Sequence, residues 1–239
     1  MTEPRCVRPE LLDELAPEDP KALQSRCDLR RVHRAMRTVS ALTQALSRLR
    51  LAAQPKSVLE LGAGDGSLLL RLAAALRPRW PGVKLTLLDR QHIVNSETVE
   101  RYRRLGWEVT SVCEDVLIWA RQSACQRYDL TIATLFLHHF KDSELREVLH
   151  GVASQSCAFI AIEPRREMFA KVGSRLVGLL GANAVTREDA VKSVDAGFTA
   201  NEITAAWPAD EAWNTEEFRV LPFSHGFIAA QNDARITHA

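Results

Sequence analysis

The chain has 239 residues, 46% of them hydrophobic, and a formal charge of +1. That apolar content supports a sizeable core, in one large domain or a domain with an appendage. Near-neutral charge gives no global case for nucleic acid, and no apolar run reaches membrane-spanning length.

The polar N-terminus (Met1, Thr2, Glu3, Pro4, Arg5) does not read as a signal peptide. Cys6, Cys27, Cys113, Cys125 and Cys157 are odd in number, and no two lie close enough to suggest a metal knuckle. Reduced thiols in a cytoplasmic protein are expected. Residues 1–27 carry Pro4, Pro9, Pro17 and Pro20 among charges, which predicts an irregular arm with one short helix at 10–15.

Asp28 reads as the N-cap of a longer helix. Leu29, Val32, Met36, Val39, Leu42, Leu46 and Leu49 step by three and four, so they share one helical face. Arg30, Arg31, Arg34 and Arg37 occupy the other side. That basic face is either solvated, a cover over a pocket, or a contact for an anionic partner.

From residue 55 short apolar runs alternate with helical patterns. Strands are predicted at 57–61, 83–89, 107–113, 128–136 and 157–163, and helices at 67–76, 96–105, 116–124 and 142–153. This alternation means crossover units and a parallel sheet covered on both faces. Right-handed crossovers reduce the topology to a doubly wound sheet. Helices are then expected at 166–180, 187–196 and 201–206. The last two runs, 217–223 and 226–231, are joined by a turn too short for a crossover, so they pair antiparallel.

The most informative stretch runs from Ser57 to Ser67. An apolar strand ends in Glu60 and Leu61, Gly62, Gly64 and Gly66 follow at alternate positions, and a helix begins at Ser67. Missing side chains let the backbone approach a nucleoside-sized ligand closely. The third glycine comes one residue earlier than in a dinucleotide fingerprint. Ligands of such sheets lie beyond the carboxyl ends of the strands. Asp89 ends the second strand, where a carboxylate can accept from both hydroxyls of a ribose. Asp115 follows the third. Taken singly, Asp89 reads as a turn residue, Asp115 as a helix cap and Asp65 as a residue near the loop or a cap.

From about Pro55 onward these features resemble the class I S-adenosylmethionine-dependent methyltransferases. The resemblance implies a Rossmann-like, mostly parallel seven-stranded sheet ending in an antiparallel hairpin. It implies S-adenosylmethionine as cofactor and S-adenosylhomocysteine as product. By the same resemblance Glu60, Gly62, Gly64 and Asp65 hold the methionine and ribose part, and Asp89 the ribose hydroxyls. Arg90, Asp115 and Val116 would flank or contact the adenine, and Thr134 would lie at the cofactor.

The sulfonium cofactor carries its own leaving group, so alignment and a base are what the protein must add. His138 and His139 stand just past the fourth strand, where many small-molecule members of this superfamily carry a similar pair. Either could take a phenol's proton, or the pair could pin the loop by hydrogen bonds; the sequence leaves open which. Glu163, ending the fifth strand, could orient the imidazole or pair with an arginine. Arg165 and Arg166 could hold an acidic or phenolate group. His33 and His225 read as structural. The Asn/Asp-Pro-Pro-aromatic signature of amino-methyltransferases is absent after the fourth strand. No metal cluster is recognised, so no metal residue is assigned.

Four further stretches resemble bacterial methyltransferases associated with type III polyketide synthases: Leu88 to Gln91, Leu137 to Phe140, Glu163 to Arg166, and Asn183 to Val191. The run Asp28 to Arg34 fits them too, except for His33. This resemblance implies a phenolic, hydrophobic acceptor. The expectation is an arm at 1–54 covering the pocket and a methyltransferase domain at 55–239, with 165–208 shaping the acceptor side. It would methylate oxygen of a small aromatic metabolite. Carbon or nitrogen transfer, a non-catalytic cofactor-binding module, and RNA or protein methylation are the alternatives. Oligomeric state is left open.

Overall fold

The computed structural model describes residues 3–49, 51, 53–77, 79–122 and 127–232. Cys125 and the end of the helix expected at 116–124 lie outside them. Three N-terminal helices come first: α1 (Leu11–Glu14), α2 (Pro20–Ala35) and α3 (Thr38–Leu49). The alternating part is β1 (Ser57–Leu61), α4 (Ser67–Leu76), β2 (Lys84–Asp89), α5 (Ser96–Arg104), β3 (Glu108–Cys113), α6 (Val116–Arg121), β4 (Leu130–Thr134), α7 (Asp142–Gln155) and β5 (Ala158–Pro164). Helices α8 (Met168–Arg175), α9 (Ala184–Ala196) and α10 (Glu202–Ala206) precede the hairpin β6 (Trp213–Val220) and β7 (Ser224–Gln231).

The seven strands lie in the order β3-β2-β1-β4-β5-β7-β6. The first five pair in parallel, and β7 inserts antiparallel between β5 and β6. Strands β4 and β5 are buried along their whole length, as unbroken apolar runs under helices on both faces should be. One face packs Leu42, Leu69 and Tyr102 against the sheet, from α3, α4 and α5. The other packs Trp119, Leu149 and Ile203, from α6, α7 and α10. The order in which strands are added across the sheet reverses between β1 and β4. Their carboxyl ends therefore splay into a crevice, the usual ligand position of such sheets.

The sheet edges are β3 and β6. Glu108, Glu216 and Arg219 stand exposed along them.

The N-terminal helix departs from expectation. The apolar face is continuous, yet α2 and α3 are separate, with Arg37 between them at φ 55°. Asp19, not Asp28, caps α2: its side chain accepts from the Lys21 N–H, with Pro20 in the first turn where its missing N–H does no harm. Asp28 is buried mid-helix. Its Oδ2 accepts the Asn183 N–H at 2.8 Å, and Arg31 reaches its Oδ1 at 2.8 Å. It thus fastens α2 to the start of α9, and a buried carboxylate so placed needs those partners. The helix expected at 166–180 breaks after Arg175 into a 3₁₀ turn, Val177–Leu180.

Candidate functional site

A cavity of about 640 Å³ opens at the carboxyl ends of β1, β2 and β4. A hollow of about 770 Å³ lies beside Leu51, Gln54 and Trp80, before β1 and β2 begin, at the opposite end of the strands. The first cavity gathers the titratable groups.

Its floor is the turn after β1. Gly62, Gly64 and Gly66 all have positive φ, which L side chains rarely adopt. A Cβ on Gly62 would strike the Phe136 ring at 2.2 Å, whereas one on Gly64 would project into open space. The turn is fastened before any ligand arrives. The Gly64 N–H donates to Asp89 Oδ2 at 2.8 Å, the Ser67 N–H to Asp65 Oδ1 at 3.0 Å, and the buried Tyr102 hydroxyl to the Gly66 carbonyl at 2.8 Å.

Glu60 is buried, and its Oε2 has no hydrogen-bond partner; Thr134 Oγ1 is likewise unpartnered. Burial, with Asp65 and Asp89 nearby, holds the Glu60 carboxyl well above the usual carboxylate range. Burial also raises Asp89, against the lowering effect of the Gln91 and Gly64 N–H groups. Asp115 caps α6, its Oδ1 accepting the Leu117 N–H at 2.7 Å, and it lines the cavity together with Arg90 and Val116. Arg30 crosses from α2 to Asp65 Oδ2 at 2.8 Å.

The opposite wall begins where β4 ends. Leu135 sits at φ 51°, an unfavourable conformation for a leucine. Beyond it the chain turns so that the Phe136 and Leu137 N–H groups donate to Glu163 Oε1 at 3.0 and 2.9 Å. His138 and His139 follow in a 3₁₀ turn, Leu137–His139, their rings 4.4 Å apart and nearly perpendicular. His138 Nδ1 lies 2.8 Å from Glu163 Oε2. Its Nε2 lies 3.3 Å from Glu10 Oε1. His139 Nε2 lies 3.4 Å from Glu10 Oε2, and its Nδ1 3.4 Å from Asp13 Oδ2. Burial would lower His138, but bonds to Glu10 and Glu163 outweigh it and raise the imidazole to about 9. Contacts with His138 and His139 hold Glu10, despite its burial, well below the usual carboxylate range.

Glu10 is the residue sequence reasoning missed. It lies in the proline-rich arm, 128 positions from His138. Helix α9 puts it there. Asp189 accepts the Leu11 and Leu12 N–H groups at 2.8 and 3.0 Å, and Ser193 hydrogen-bonds Glu10 Oε1. Val7, Pro9, Leu12 and Asp13 join it in covering the cavity, and Arg90 pairs with Asp13.

Glu60, Gly62, Gly64, Asp65, Asp89, Arg90, Asp115, Val116, Thr134, His138 and His139 all line this one cavity. Glu163 lies behind it, fully buried, touching the cavity through His138. Arg166 is not available to a ligand: its guanidinium is buried on Glu202 at 2.6 Å and Thr199 at 3.3 Å. Arg165 pairs with Glu167, and His225 is buried on Glu217. His33 lines the cavity beside Arg30.

A seven-stranded sheet in this order, with its last strand inserted antiparallel, is the class I methyltransferase fold. Residues 58–156 match the family described as Methyltransferase domain. No curated protein matches the chain in sequence. Solved structures share the fold at low identity. The plantazolicin methyltransferase BpumL, crystallised with a monoazolic desmethylPZN analog and SAH, is 18% identical over 90% of this chain and 91% of that chain, with a TM-score of 0.62. Magnesium protoporphyrin IX methyltransferase (ChlM) from Synechocystis PCC 6803, with bound SAH, is 16% identical over 86% of each chain, with a TM-score of 0.53. An O-methyltransferase family protein from Burkholderia thailandensis is 17% identical over 90% of this chain and 62% of that one, with a TM-score of 0.55. Residues 58–156 thus form a methyltransferase domain, and solved structures of the same fold hold S-adenosylhomocysteine or S-adenosylmethionine.

The chain's own residues fit that cofactor. The unpartnered Glu60 Oε2 and Thr134 Oγ1 are the kind of buried acceptors that an amino group and a hydroxyl satisfy. Gly64 leaves the space that a side chain would fill. No helix among the described residues is long and apolar enough to cross a membrane.

Proposed function

We propose that the chain transfers a methyl group from S-adenosylmethionine to the oxygen of a small aromatic, phenolic metabolite, and that the imidazole pair activates that oxygen. The observation that carries this reading is the single cavity shared by the glycine turn, Asp89 and the two histidines.

When bound, the cofactor supplies an electrophilic methyl group and its own leaving group. Glu60 and Asp89 would hold its amino group and ribose, with Asp65 at the turn. Arg90, Asp115 and Val116 would face the base. On the other wall Glu163 holds the direction of the His138 ring, as a carboxylate orients imidazole in catalytic triads. His139, one quarter exposed where His138 is almost sealed, is the imidazole placed to take the acceptor's proton. A phenol with an ordinary pKa near 10 is mostly protonated at neutral pH, and such a base contributes roughly 10²–10⁴-fold.

Near-neutral charge favours a small acceptor over a polymer. The arm, α8 and α9 would shape the acceptor side. The resemblance to methyltransferases associated with type III polyketide synthases supports a phenolic acceptor. Free Cys6, Cys27, Cys113 and Cys157 fit a reducing, cytoplasmic setting. The test is purified protein with methyl-labelled cofactor across a panel of phenols, enolisable carbonyls and amines. Label on phenolic oxygen, lost in the His138→Ala/His139→Ala double variant while cofactor binding persists, supports the reading. Label on carbon or nitrogen alone, or turnover indifferent to both histidines, would refute it.

A further inference from the structure

We propose that Glu10, His138 and His139 form a binding site for one divalent transition-metal ion of the zinc type, at the acceptor end of the cavity. The inference rests on the proposed function only in taking this cavity as the acceptor's.

One ligand atom from each of the three residues lies within 4.8 Å of the others. The spacing is that of a coordination shell. Glu10 oxygens stand 3.3 and 3.4 Å from the two Nε2 atoms. A charge-assisted hydrogen bond closes to about 2.7–2.9 Å. Two donors each about 2.0–2.1 Å from a tetrahedral ion are separated by about 3.3 Å.

The outer ring of groups points the same way. Each imidazole turns its Nδ1 toward a carboxylate, His138 to Glu163 at 2.8 Å and His139 to Asp13 at 3.4 Å. A carboxylate on Nδ1 keeps the proton there and leaves the Nε2 lone pair free. Metal-binding histidines are oriented in this way. When the imidazoles are neutral, both Nε2 lone pairs face Glu10, which offers only lone pairs of its own. Three such acceptors converging on one point are held by a positive centre, a proton on His138 in the ion-free protein and the metal ion once it displaces that proton. The nearby arginines are already engaged elsewhere: Arg90 on Asp13, and Arg5 on Asp142 at 3.2 Å.

Two nitrogens and one oxygen suit zinc, iron(II) or cobalt better than magnesium, calcium or manganese. Three protein ligands leave a fourth position, as catalytic zinc sites do. All three residues line the cavity, so that position is open to an oxygen acceptor. A phenol coordinated there releases its O–H proton to water more readily, because the ion stabilises the anion left behind. With the ion bound, His139 serves as a ligand, and the ion takes over the activation of the acceptor.

The test uses the full chain, stripped with a chelator and then titrated with Zn²⁺ by calorimetry and with Co²⁺ by visible absorption. One ion per chain is expected at micromolar affinity or better, with the intense absorption of four-coordinate cobalt. Glu10→Gln and His139→Ala should each weaken binding about 100-fold or more. Asp13→Asn should weaken it about 10–100-fold, as loss of an orienting carboxylate does. Unchanged circular dichroism and cofactor affinity would show these variants folded.

Stoichiometric binding lost in Glu10→Gln and His139→Ala supports the site. Absence of binding, or binding indifferent to both variants, overturns it and leaves protons as the centre of the cluster. Methylation by stripped, ion-free protein at full rate would overturn the ion's role while leaving the phenol reading intact. A specific ion with no methylated phenol would do the reverse.

Discussion

The two walls of the cavity are built differently. The proposed cofactor wall is local. Glu60, Gly64, Asp89 and Asp115 each end or follow a strand, and the parallel sheet brings successive strand ends side by side. The proposed acceptor wall is assembled from distant parts of the chain. His138 follows β4 and Glu163 ends β5, while Glu10 and Asp13 come from the arm, held there by Asp189 and Ser193 of α9. A wall made of strand ends is inherited with the fold. A wall made of an arm and an inserted helix can change without disturbing the sheet, and acceptor choice is where such enzymes have to differ.

If the walls are independent, damage to one should spare the other. The largest effect is expected at Glu163. Removal in Glu163→Ala leaves three backbone N–H groups and a buried imidazole without their partner, a loss of about 3–5 kcal/mol read by denaturant unfolding. The milder Glu163→Gln should cut methylation about 10–100-fold while the cofactor Kd stays within about threefold. An equal loss of cofactor affinity would break the comparison.

Next is Asp89→Ala, which removes an acceptor from the Gly64 and Gln91 N–H groups and, in the proposed reading, from the ribose. Calorimetry should show cofactor affinity about 10–100-fold weaker, as loss of charge-assisted hydrogen bonds implies, with the acceptor's KM unmoved.

Glu60→Gln sharpens the contrast by dividing stability from binding. Glu60's folded pKa is raised by burial, so the native state holds its proton more tightly than the unfolded chain. Its contribution is fully present below the unfolded value of about 4.5 and declines as pH rises toward the raised folded value. Above that window the variant should melt a few degrees higher than the parent, yet bind cofactor more weakly. A lower Tm at neutral pH would sink this account. Arg30→Ala should do least: its pair with Asp65 is partly exposed and is worth about 0.2–1 kcal/mol.

The same division explains what could be read from sequence. The parallel sheet, the hairpin and the residues that gather at the strand ends were legible because each signal is a short run with its own physics: an apolar strand, a glycine turn, an acid at the strand end. Glu10 gave no such signal. A glutamate among prolines looks like solvated arm, and only α9 brings it to the histidines. Asp28 misled because an acid before an apolar helical face resembles a cap. Its actual partner, the Asn183 N–H, comes from a different helix. The break at Arg37 was hidden because the turn keeps the apolar face in phase, and a left-handed arginine carries no mark in the sequence.

The charged outer strands of the sheet have a practical consequence. An uncapped β-edge is a template on which a neighbouring molecule can lay down its own strand, the first step toward precipitation or fibres. Glu108 on one side and Glu216 and Arg219 on the other would have to surrender their hydration for such an addition. These charges therefore oppose growth by strand stacking, whatever occupies the cavity.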